Sequence, residues 1–279
     1  MSLTGLAKTK LTILSARMLK LRPVCLAGRQ PVASITFDGF PKSAWTEGGP
    51  VMARHGVRGT YYTAGGLCGR TVDGTVFYEE DDLRALASAG HEVGCHGFGP
   101  ESTPMLTTDE VAADADRNRE FLKPFLNGKA PLSYAYPFGL VSPLTKRFHA
   151  PRFACLRGVH SGINADRVDL AQLSAISLER RCWDEGIVHT AIQGALRDHG
   201  WLIFHTREVS DTPGEYGSTP AMLDWALSRL KEARIPVLPV REALPVALGT
   251  QRLRPDARQG GGGRDAFGVE LHMDDGSQA

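Results

Sequence analysis

Apolar, β-branched stretches alternate along this chain with segments whose apolar residues recur every three or four positions. Pro31 to Phe37 predicts a first strand, Gly59 to Ala64 a second, His91 to His96 a short third, and Ser133 to Tyr136 a fourth that Pro137 cuts off. Arg152 to Leu156, Leu173 to Leu178, Trp201 to His205 and Ile235 to Val240 read as further strands. Between them Pro50 to His55, Glu79 to Ala89, Thr107 or Thr108 to Lys123, Trp183 to Asp198 and Thr219 to Ala233 read as helices. Their ends follow capping rules, with acids in the first turn of the second helix, Gly56 and Gly90 as stops, and Thr219-Pro220 in the cap-then-proline order. Strand, loop and helix thus alternate seven or eight times. That repetition predicts an α/β fold with a parallel sheet, and the number of units favours a closed barrel. Continuous apolar strands, lacking strict alternation, agree with a sheet covered on both faces.

The two ends of the chain depart from this rhythm. Before Asp38 there are six basic residues (Lys8, Lys10, Arg17, Lys20, Arg22, Arg29) and no acid, while Leu11, Leu14, Met18 and Leu21 mark one helical face. Residues 1–30 are therefore expected to hold a basic amphipathic helix, packed on the domain or, through residues 6–22, resting peripherally on a membrane. Its uncharged runs are too short for a signal peptide, and no segment has the ~20 apolar residues of a membrane span. After about Gly249 the pattern stops, and residues 250–279, with Gly260 to Gly263, are expected to be a disordered Gly-rich tail. Residues 31–249 make up the expected barrel domain.

Composition changes this picture little. In 279 residues, 42% hydrophobic content suits a globule with a sizeable core, and a net charge of +1 argues against a nucleic-acid partner. Cys25, Cys68, Cys95, Cys155 and Cys182 are scattered and form no C-x-x-C pair, so neither a disulfide framework nor a zinc finger is predicted. Reduced thiols and the lack of a signal peptide lead to an expected cytoplasmic location.

The candidate chemistry lies where a barrel keeps it, at the C-terminal ends of strands. Four such ends carry suggestive groups: Asp38, His96, Tyr136-Pro137-Phe138-Gly139 and His205. Each residue alone has an ordinary explanation, the aspartate as a turn or cap residue and the histidines as satisfied structural groups. Their joint placement is what counts, because one acid and two histidines can supply a base, a metal ligand and an acid. His91-Glu92-Val93-Gly94-Cys95-His96 has one residue too many for H-E-x-x-H and lies in a strand, and neither G-x-S-x-G nor a Walker lysine occurs. The loop from Thr206 to Thr219 either lines a cleft or merely connects.

Taken in order, Thr36-Phe37-Asp38, Gly90 to His96, Tyr134 to Gly139 and Leu202-Ile203-Phe204-His205 resemble the polysaccharide deacetylases of the nodulation type, carbohydrate esterase family four. The likeness spans roughly Pro31 to Leu244 and implies that family's distorted (β/α) barrel of seven or eight strands. It also implies a metal-dependent hydrolase acting on non-peptide C–N bonds, which removes N- or O-acetyl groups from an N-acetylated carbohydrate. In the family a divalent ion, usually zinc, held by an aspartate and two histidines, polarises the acetyl group and acidifies a water. Carried over, Asp38 matches the general base, His96 the first metal-ligating histidine and His205 the acid that protonates the leaving amine. Tyr136, Pro137 and Phe138 match the substrate and oxyanion motif, with the backbone N–H of Phe138 as donor.

Three positions depart from the pattern. The metal-binding aspartate that follows the base is Gly39, the second histidine is Pro100, and the arginine two residues before Pro137 is Ala135. Glycine and proline side chains offer no donor, so the expected metal site is degenerate, with Glu101 and Asp38 as the nearest substitutes. Two readings follow: a deacetylase, or a catalytically impaired homologue that binds carbohydrate or a protein partner without turnover.

Overall fold

The computed structural model describes residues 3–99 and 107–251. Pro100, Glu101 and the Gly-rich tail fall outside the described residues. Seven strands form one parallel sheet: β2 (Val32–Asp38), β3 (Thr60–Thr63), β6 (Glu92–Cys95), β7 (Ser133–Ala135), β8 (Cys155–Arg157), β10 (Ile176–Ser177) and β11 (Trp201–Thr206). Their order is β10-β11-β2-β3-β6-β7-β8, so the first long strand sits centrally and the sheet curls around it. Leu173 makes a parallel bridge to Arg157, just ahead of the β10–β11 pairing, so the segment 170–177 links the two sheet edges. The expected parallel (β/α) barrel is the fold found.

Helices cover the outer face: α2 (Lys42–Thr46), α3 (Gly48–Arg54), α4 (Glu80–Ser88), α5 (Thr108–Leu122), α6 (Pro143–His149), α7 (Glu185–Asp198), α8 (Pro220–Glu232) and α9 (Val240–Ala247). Local sequence explains their starts. Thr107 accepts the Glu110 N–H while the Glu110 carboxylate accepts the Thr107 N–H at 2.7 Å, a reciprocal cap. The Asp184 carboxylate and the Thr219 hydroxyl cap α7 and α8 by accepting the N–H groups of Ile187 and Met222.

Three elements differ from the sequence expectation. Ile235 to Val240 is no strand. Ala33 brackets Val237 with hydrogen bonds to Pro236 and Leu238, but Pro236 and Pro239 have no N–H to extend the ladder, and Val240 already starts α9. The N-terminal helix α1 spans Leu3–Met18, and Pro23–Cys25 forms a strand, β1, antiparallel to β9 (Arg167–Asp169). A small hairpin, β4 (Thr71–Val72) with β5 (Thr75–Val76), turns on Asp73 and Gly74, both at positive φ.

Alternation along the strands fixes what points into the barrel. Ala33, Ile35 and Phe37 pack outward against the helices in the main apolar cluster. Ser34, Thr36 and Asp38 take the opposite face, where the Trp201 indole N–H donates to the Ser34 hydroxyl at 3.0 Å. The lower interior is polar but satisfied. The buried Glu92 carboxylate accepts from Thr60 at 3.0 Å, Ser133 at 2.7 Å and the Arg241 N–H at 2.7 Å.

Candidate functional site

Period-two geometry carries the same inward face to the C-terminal mouth on each strand. It delivers Asp38 from β2, His96 just beyond β6, Ala135 from β7, Arg157 from β8 and His205 from β11. Gly94 on β6 makes room below them. A Cβ there would lie 2.6 Å from the Tyr62 ring, which fills the interior beneath the Arg157 guanidinium at 5.2 Å.

Arg157 is the residue that strand-end reasoning missed. It is 1% exposed, and its guanidinium reaches across the mouth to pair with the Asp38 carboxylate, while another N–H donates to Gly158 O at 3.1 Å. Ala135 and Arg157 are register partners, so the arginine sits beside the small residue that occupies the family's arginine position. One signal was available: an arginine at the end of an apolar strand, the placement that had singled out Asp38 and His205.

The pairing sets the charges of the site. Burial alone would raise the Asp38 carboxyl, but Arg157, with smaller help from His96 and His205, holds it below its ordinary value. Burial, reinforced by Arg157 and opposed by Asp38, pushes His205 down to about 4. His96 is lowered too, burial outweighing the pull of Asp38. Its Nδ1–H donates to Ala135 O at 2.9 Å, which leaves the other ring nitrogen as a lone-pair acceptor. The Glu179 carboxylate is 3.7 Å from His205 Nδ1 and 2.8 Å from Arg181. Two buried nitrogens here, Arg157 Nε and His205 Nδ1, have no hydrogen-bond partner among the described residues. Such groups cost about 1–3 kcal/mol each when left unsatisfied, so the mouth is built to receive polar atoms.

The remaining sequence candidates separate. Pro137 and Phe138 form a tight turn in which Phe138 has φ 54° and an exposed ring. Tyr136 is buried, and its hydroxyl donates to Ala171 O at 3.0 Å on the far side of the turn. Gly39 has φ +71° and supplies no donor; a Cβ there would meet nothing nearer than Phe77 at 3.8 Å. Among the described residues no three His, Cys, Asp or Glu side chains are grouped so as to hold a metal ion. The described residues therefore offer no set of donors that fits the ion expected for the family.

In chemical terms the mouth offers an ionised carboxylate locked to a guanidinium and two neutral imidazoles. A base acts best with a pKa near the working pH, and an acid must carry its proton there. Arg157 holds Asp38 below its ordinary value and burial moves His205 away from neutral pH, so neither shift carries its group toward the working range.

Comparison with known proteins agrees with this architecture. The polysaccharide deacetylase family model matches residues 27–150. No curated protein matches the chain by sequence. Among solved structures, the Bc1960 peptidoglycan N-acetylglucosamine deacetylase is 16% identical with a TM-score of 0.58, over 87% of this chain and 100% of that one. A family 4 acetyl xylan esterase from Clostridium thermocellum, solved with a cobalt ion, is 16% identical with a TM-score of 0.54, over 79% and 96%. A pseudoenzyme of the same carbohydrate esterase family from Bacillus anthracis is 14% identical with a TM-score of 0.51, over 78% and 67%. With that match over residues 27–150 and the shared barrel, the chain is similar to the polysaccharide deacetylase family and has its fold.

Proposed function

We propose that this chain binds an N-acetylated saccharide at the barrel mouth without hydrolysing it. The observation that carries the reading is the donor set: the residue after the base is Gly39, the second histidine position is Pro100, and His96 alone remains of the ligands. Catalytic zinc sites keep three protein ligands, and one imidazole holds such an ion weakly. The pairing of Asp38 with Arg157 and the neutral His205 point the same way. The loops after β7 and β11 open at the mouth and carry exposed aromatic rings, Phe138 and Tyr216, the latter beneath the Arg181 guanidinium at 4.2 Å. Such rings suit the apolar faces of sugar rings.

A second reading, a working deacetylase with Asp38 as base and His205 as acid, is favoured by the convergence of Asp38, His96 and His205 on one mouth. Calorimetric titration with an acetylated chito-oligosaccharide, followed by an acetate assay, separates the two. Binding without acetate release supports the first reading. Acetate release by the wild type that disappears in Asp38→Asn supports the second. Without turnover, Tyr216→Ala and Phe138→Ala each weaken binding about tenfold, the loss of one stacked ring at roughly 1.4 kcal/mol. Unchanged affinity in both variants removes the mouth as the binding site.

A further inference from the structure

Three apolar side chains on one side of the C-terminal half of helix α1 are left uncovered by the described residues. Leu11, Leu14 and Met18 are 68%, 52% and 76% exposed, whereas Ala16 on the opposite side is fully buried. At the C-terminal end of this helix lies a cavity of about 570 Å³ walled in part by Arg17, Lys20, His160 and Arg167. Its one acid, Asp169, is already occupied. It pairs with the buried Lys146 at 2.7 Å and accepts the backbone N–H groups of Leu21, Arg22 and Ala171. Arg17, Lys20 and Arg167 take part in no ion pair among the described residues. No acid precedes Asp38 in the chain, and the same helix carries Lys8 and Lys10. Apolar side chains flanked by cations are the composition of a helix that lies in the headgroup region of an anionic bilayer.

We propose that α1 and the cavity at its end dock the protein on an anionic membrane surface. Leu11, Leu14 and Met18 enter the interface, and a lipid headgroup phosphate enters the cavity beside Arg17, Lys20 and Arg167. The inference is independent of whether the barrel mouth hydrolyses or only binds its ligand. Charge complementarity selects the occupant: a second copy of this chain would bring the same cations against one another.

The full chain is sedimented with phosphatidylcholine vesicles containing phosphatidylglycerol, and with phosphatidylcholine vesicles alone. It is expected to pellet with the first only, and to be released as salt is raised. Leu14→Glu with Met18→Glu, and separately Arg17→Gln with Lys20→Gln, are each expected to weaken binding at least tenfold, since one basic residue near the surface is worth about fivefold. All four side chains are exposed, so both variants should keep the wild-type circular dichroism, and the milder pair Leu14→Gln with Met18→Gln replaces the first should it misfold. Wild type left in the supernatant overturns the proposal. So does inorganic phosphate binding without vesicle binding, which marks a soluble-anion site. A dimer abolished by Leu14→Glu with Met18→Glu, again without vesicle binding, marks a self-interface and overturns it too.

Discussion

At the barrel mouth burial and one guanidinium together set the charges. Burial lowers His96 and His205 with Arg157 adding to both, and against the upward pull of burial Arg157, itself buried, holds Asp38 below its ordinary value. Replacing it with methionine keeps most of the volume but leaves the Asp38 carboxylate without its counter-ion. Breaking a buried pair from one side costs about 3–5 kcal/mol, and the remaining exposure of Asp38 places the expected loss at the lower end. The same variant is expected to raise the His205 pKa above about 4, which imidazole proton chemical shifts followed against pH would show. An unmoved His205 would mean that burial alone holds it neutral. Asp38, His96 and His205 were legible in the sequence because strand-end position is a local signal. Arg157 shares that strand-end position, but its pairing was not legible, because its side chain acts across the barrel on a strand four places away in the sheet. Linear spacing does not encode such a contact.

Among the elements, the N-terminal segment shows how a tertiary clamp overrides local reading. Lys146 on α6 is fully buried, and its ammonium donates to Ala16 O at 2.9 Å and to Gln172 at 2.9 Å while pairing with Asp169. Asp169 in turn holds the Leu21 and Arg22 N–H groups, and Arg22 donates to Ala150 O and Phe153 O. α1 and β1 are thereby fastened to α6 and β9. Lys146→Ala is expected to destabilise the fold by about 3–5 kcal/mol and to make residues 3–25 the first site of proteolysis. Cleavage no faster than in wild type would show that the clamp does not hold the segment. Thr107→Ala is a milder test of local logic, with an expected cost of about 1 kcal/mol from the lost cap of α5. Helices with caps and long apolar strands were legible. β1 and β9 were not, because strands so short carry no periodicity and exist through their pairing partners.

For the molecule as a whole, buried neutral histidines predict a specific acid sensitivity. Burial first, then neighbouring cations, lowers His91 to about 4, His149 to about 3 and His205 to about 4. His91 Nδ1 accepts the Gly59 N–H at 3.0 Å, so protonating it also breaks a hydrogen bond. Unfolded histidine titrates near 6.5, so between about pH 6.5 and pH 4 the unfolded chain binds protons that the folded chain refuses. Stability is therefore complete above about pH 6.5 and falls as the pH drops, by up to ~1.4 kcal/mol per pH unit for each histidine. Glu92, whose carboxyl burial raises, works in the opposite direction near its own titration. The thermal midpoint should fall steadily across that window. His149→Phe, which keeps the stack on Tyr134 at 4.2 Å, should flatten the fall by about one proton. A midpoint that stays level from pH 6.5 to 4 would contradict the buried-neutral assignment.

The parallel barrel itself was legible from alternation alone. In the proposed reading, what the chain does with its mouth depends on two side chains that lack donors, Gly39 and Pro100. Gly39→Asp has room for its Cβ, and aspartate tolerates the left-handed backbone at a cost of about 1–2 kcal/mol. Combined with Pro100→His it restores the donors that the family resemblance expects. The direct measurement is zinc bound per chain, by elemental analysis after dialysis against micromolar zinc, for the wild type and for Gly39→Asp with Pro100→His. The account predicts wild type far below one zinc per chain and the double variant close to one. Stoichiometric zinc in the wild type would contradict it.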